Sequence, residues 1–184
     1  MTKNIVKLLE NQLRDRPMKT INPNTQTAGD EDKQSAEALY HRAIIAAALA
    51  GLLEYSRADE HVQALLSAHG AKNYGEQIFQ EHFADLEKKV LAYSGYKNGR
   101  PREDFNYVMQ VLSDIVAAEA AGDPRAAKDY ISSQRANIVS YLPGDLQAGQ
   151  LLNNSTIDDR TNKMHGPFSD FTHWMEQLFS TADQ

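Results

Sequence analysis

The chain has 184 residues, no cysteine and a formal net charge of −6 at pH 7. That length suits one domain of ordinary size with an appendage, and such a chain buries roughly two-thirds of its surface without a disulfide or metal staple. The absence of cysteine excludes disulfides, cysteine nucleophiles and thiolate zinc sites, and the acidic balance disfavours nonspecific binding to nucleic acid or an anionic membrane.

Residues 2–15 read as a first amphipathic helix, with Thr2 as its N-cap and Ile5, Leu8, Leu9 and Leu13 as one apolar stripe. The segment lacks the apolar core and small-residue cleavage site of a signal peptide, so the expectation is a soluble, cytoplasmic, bacterial-type protein. Residues 16–29, RPMKTINPNTQTAG, read as a polar linker. A helix this short is marginal alone and must dock on its own bundle or on a second copy, and the shorter-range closure favours its own bundle.

The longest apolar run follows, AIIAAALAGLL at residues 43–53. Its alanines and leucines favour a helix over a strand. The expected element begins near Asp30 or Glu31, with acidic residues in the first turn, and runs to about Tyr55. On a helical wheel Leu49 and Leu52 fall within ~40° of Ile45, while Ala36, Ala43, Ala47 and Ala50 lie opposite with Gly51 at their edge. One face is bulky and the other nearly flat, as close helix approach requires. The run is about half of the ~20 apolar residues that span a bilayer, so it reads as buried core.

A short helix is expected over about 59–68, with Val62, Leu65 and Leu66 inward and Gly70 as a stop. Residues 74–93 read as one helix, with Ile78, Phe79, His82, Phe83, Leu86, Val90 and Leu91 as its stripe and Gly95 as its end. The loop SGYKNGRPRE carries an Asn98-Gly99 turn and places Pro101 in the first turn of a helix over 102–121. Gly122-Asp123-Pro124 closes that helix, caps the next and occupies its first position, opening a helix over 124–141. Pro143-Gly144 breaks the chain, a short helix is expected from Asp145 to Leu152, and a polar run leads to an aromatic helix from Pro167 to about Phe179.

The fold class is therefore all-α: an irregular multi-helix bundle around a buried Ala/Leu-rich central helix at about residues 31–55. Three regions are expected. Residues 1–29 form an N-terminal helix plus linker, 30–152 the helical bundle, and 153–184 a polar loop with an aromatic C-terminal helix packed on the bundle or on a partner.

Chemistry-bearing residues are sparse. His41, His61 and His82, with Glu37 and Asp85, are the candidates for a bundle metal site, but the Glu-x-x-His pairing such sites use is missing. Glu37 and His41 stand four apart, which also serves ordinary helix pairing. Asp85, Asp114 and Glu119 read as solvated carboxylates unless a pocket brings two of them together. Lys97, Arg100 and Arg102 make the most basic loop, too long a connection for a helix-turn-helix. No phosphate-binding loop and no Gly-x-Ser-x-Gly elbow is present.

Phe168, Phe171, Trp174, Met175 and Phe179 concentrate large apolar side chains near the C-terminus and are the candidate interaction residues. The expected function is a non-enzymatic module for protein interaction or self-association, with no cofactor, no nucleic acid and no membrane. The alternatives are a metal-dependent helical enzyme using the bundle histidines and carboxylates, and a small-molecule carrier with an apolar pocket beside the Ile45–Leu52 face.

Overall fold

The computed structural model describes residues 2–13, 35–67 and 73–141. Within them the protein is all-α: α1 (Ile5–Leu13), α2 (Ala36–Tyr55), α3 (Asp59–Leu66), α4 (Tyr74–Phe79), α5 (Phe83–Ser94), α6 (Pro101–Glu119), α7 (Pro124–Ser133) and α8 (Arg135–Tyr141). Among the described residues there is no strand.

The bundle is built around α2. Every residue from Tyr40 to Leu52 is buried, as expected for a helix apolar on all sides, and α4, α5, α6 and α8 pack around it. The helix starts later than its sequence suggests. Ser35 is extended, and its side chain accepts the Ala38 N–H at 3.2 Å, so the cap falls at Ser35 rather than at Asp30 or Glu31. By length and mean hydropathy α2 as a whole, at 20 residues, is long and apolar enough to cross a membrane, although Glu37, His41, Arg42 and Glu54 flank its apolar run. In the fold, 72% of its most apolar stretch is buried against other helices.

On α1 the cap is Asn4 rather than Thr2, because Asn4 Oδ1 accepts from the Val6 and Lys7 amides at 2.9 and 3.2 Å. The Ile5, Leu9 and Leu13 stripe is fully buried, and α1 lies against α6 and α8. The short α3 packs on α6 and α7, and its last turn is fastened to α6 by Ser113, whose hydroxyl donates to the Leu65 carbonyl at 2.7 Å.

Two expected helices are interrupted. The 74–93 stripe breaks into α4 and α5 around a 3₁₀ turn at Gln80–His82, with Gln80 at φ +50°. Tertiary contacts hold this break. The Phe83 ring folds back onto Gly75, where a Cβ would overlap it, and packs edge-to-face on Phe105 at 5.4 Å. Asn106 accepts the Gly75 N–H at 3.0 Å, tying the start of α4 to α6. Arg102 covers Phe83 at 5.0 Å while pairing with Glu76 and with Glu87 at 2.7 Å. The 124–141 helix breaks at Gln134, whose buried side chain reaches across to α1.

Other boundaries follow their sequence signals. Gly95 is left-handed and returns its N–H to Leu91. At the end of α6, Gly122 at φ +77° donates to the Ala117 carbonyl at 3.0 Å, and Asp123 Oδ1 accepts the Ala126 N–H. The expected helices at 145–152 and 167–179 lie outside the described residues.

Candidate functional site

The histidines singled out from sequence occupy three unlike environments. His41 is buried in α2, edge-on to Tyr40 at 5.4 Å and to Tyr96 at 6.5 Å, and its Nδ1 has no hydrogen-bond partner. Burial disfavours the imidazolium and lowers its pKa below the usual histidine value; the charges of Glu37 and Asp104 oppose this. Beside it the Tyr40 hydroxyl donates to the Asp104 carboxylate, and burial followed by that carboxylate pushes the tyrosine pKa well up. Gly99 of the basic loop lies against the Tyr40 ring, and with Arg102 drawn to α4 and α5 the loop is part of the bundle wall.

His61 stacks flat on Tyr55 with ring centroids 4.3 Å apart. Its sequence spacing places His82 on an apolar stripe. Instead it lies in the turn between α4 and α5, half exposed beside Glu81, because the break changes the register there. Glu37 is exposed one turn before His41, and Asp85 is exposed and paired with Lys88 at 3.2 Å. Asp114 accepts from Gln110, and Glu119 pairs with Lys3. Among the described residues no three His, Asp or Glu side chains gather as metal ligands would. The aromatic group Phe168, Phe171, Trp174, Met175 and Phe179 lies outside the described residues.

A cleft of about 260 Å³ opens instead where the end of α2 meets α7 and α8. Leu53, Glu54, Ser56 and Arg57 line it from the α2 side, and Lys128, Ile131, Ser132 and Arg135 from the other. Its charges are arranged unequally. Arg57 pairs with Glu54 at 3.1 Å. Lys128 pairs with Asp59 and also donates to the Arg57 carbonyl at 3.2 Å, just past the carbonyl end of α2, where a cation is favoured. Arg135 has no carboxylate partner among the described residues, and its Nη2 is shielded from solvent without an acceptor. The lining thus combines an apolar base, two hydroxyls and one uncompensated guanidinium.

Lys128, Ile131, Ser132 and Arg135 share one helical face by their i, i+3, i+4, i+7 spacing, but nothing in that spacing shows that the face meets Leu53–Arg57 at the end of α2, about 70 positions earlier. The sequence pattern also runs as continuous helix through Gln134, where the structure turns. No family model, curated protein or solved structure matches the chain.

Proposed function

We propose that the protein is a non-enzymatic helical module that works by association, with another polypeptide or with a second copy of itself. The observation that carries this reading is the cleft at the α2–α7–α8 junction, a concave surface with an apolar base and an unneutralised Arg135 at its side. Small recesses with a buried apolar floor and an arginine are the kind of surface on which binding energy concentrates. The N-terminal helix docks on its own bundle, as its short length and linker favour, and is not the contact element. The apolar stripe of α1 is consumed inside the bundle, so α1 acts as a strut and the contact surface lies elsewhere.

The test is light scattering coupled to size-exclusion chromatography on the full chain over a wide concentration range, beside the variant Ser132→Arg. Ser132 is exposed at the edge of the cleft, and an arginine there fills it without touching the core. The expected result is a mass that rises with concentration in the native chain and stays at one chain in Ser132→Arg. A mass fixed at one chain throughout excludes self-association. A rise that the variant leaves intact excludes the cleft as the contact.

A further inference from the structure

The Asn98-Gly99 turn carries a chemistry of its own. An asparagine side chain can be attacked by the backbone nitrogen of the next residue. Here the Gly99 nitrogen would lose its proton and bond to Asn98 Cγ, ammonia would leave, and a five-membered succinimide would remain. Water then opens either ring carbonyl. One product is aspartate. The other is isoaspartate, in which the main chain runs through the former side chain and gains a methylene. A side chain on the following residue obstructs the attack, and Asn98 is the one asparagine in the sequence followed by glycine. Both products place a carboxylate between Lys97 and Arg100, in the most basic loop.

The fold leaves this pair free to react. Lys97 and Asn98 are the central residues of an exposed turn, and no hydrogen bond among the described residues holds the Asn98 side chain. The Gly99 N–H meets the Tyr96 carbonyl at 3.5 Å, long for such a bond. Aiming the nitrogen at Cγ takes a rotation of the 98–99 peptide plane with both Cα atoms nearly in place. Glycine tolerates the change in φ that this brings.

What lies beneath the turn decides the consequence. Gly99 packs so closely on Tyr40 that a Cβ there would stand 2.5 Å from the ring. Tyr40 is fully buried and its hydroxyl is held by Asp104, so the ring has nowhere to retreat. At the other end of the turn Tyr96 rests on Tyr40 at 5.3 Å and stands edge-on to His41 at 6.5 Å. Added main-chain length between these two anchors must bulge outward and pull on both. We propose that Asn98 is a site of spontaneous deamidation, and that its isoaspartate product loosens the 95–100 loop from Tyr40 and His41.

The experiment incubates the full chain at mildly alkaline pH beside Asn98→Gln and a capped peptide of residues 96–100. Loss of the amide nitrogen is followed by peptide mass. Asn98 in the folded chain should convert at a rate within about tenfold of the free peptide, the weight of one exposed hydrogen bond. Peptides carrying Asn4, Asn11, Asn73, Asn106 and Asn137 should keep their mass over the same time. So should residue 98 in Asn98→Gln, whose longer side chain would have to close a six-membered ring. Conversion slowed beyond that factor, or loss spread evenly over the other asparagines, overturns the site.

The isoaspartate and aspartate forms are then separated chromatographically and compared by amide hydrogen exchange with Asn98→Asp, which adds the charge without lengthening the main chain. The Tyr96 N–H, held by Ser94 Oγ at 3.2 Å, reports on the loop. It should exchange about tenfold faster in the isoaspartate form than in Asn98→Asp, as the loss of one hydrogen bond implies. Equal exchange in the two overturns the loosening.

Discussion

Gln134 holds Ile5. The side-chain oxygen of a residue between α7 and α8 accepts the N–H that opens α1, at 3.0 Å and across 129 positions of sequence. The first four amides of a helix have no partner within it, and here three of them find one: Ile5 in Gln134, Val6 and Lys7 in Asn4. Tyr130 adds a hydroxyl bond to the Lys3 carbonyl at 3.1 Å. The break between α7 and α8 is thus where the last described helices grip the first one.

Gln134→Ala should loosen that grip. It removes the acceptor for Ile5 and for Asn137, which donates to the same oxygen at 2.8 Å. A buried amide left without a partner costs about 1–3 kcal/mol. Denaturant unfolding should show a loss in that range, and hydrogen exchange should show α1 losing protection before α6 does. Equal loss of protection in both helices would mean that Gln134 stabilises the bundle generally and does not anchor α1.

Ala47→Leu probes the small face of α2. Ala47 is fully buried in a helix packed by four others. Overpacking of a tight contact costs about 1–3 kcal/mol. A variant with the native denaturation midpoint would show that this face has slack.

Gly75→Ala probes the α4–α5 break. Its new methyl would overlap the Phe83 ring, so the ring must leave its place against Phe105 and beneath Arg102. A loss of about 1–3 kcal/mol is expected from the forced shift. Adding Phe83→Leu should recover part of it, because two residues in contact do not act additively. Strict additivity in a double-mutant cycle would contradict the close approach.

His41 makes stability depend on pH. Its folded pKa lies below the ordinary 6.5, chiefly because burial disfavours the charged ring, with Glu37 and Asp104 partly offsetting. Below pH 6.5 the unfolded chain binds a proton that the folded chain does not yet bind. Stability should therefore fall as the pH drops through 6.5 and stop falling on this account once the folded pKa is passed. His41→Phe should show a flatter profile than the native chain between about pH 7.5 and about pH 5.5 in chemical denaturation. Identical profiles would place the imidazole in contact with solvent.

The sequence by itself determined the class of the fold, the burial of residues 43–52 and the helix ends written in local chemistry. Gly95 and Gly122-Asp123-Pro124 act through their own backbone geometry and a cap three residues away, so adjacent letters carry the whole signal. What only the tertiary structure decided are the breaks at Gln80 and Gln134 and everything that depends on them. Both positions continue a helical pattern, and each is overruled by contacts from distant segments: Phe83 and Arg102 at one break, Ile5 and Lys3 at the other. The cleft belongs to the same class. Lys128 and Arg135 stand seven positions apart on one helical face, but only the packing of that face at the end of α2 brings Arg57 beside them, and no spacing along the chain records that Arg135 there finds no carboxylate.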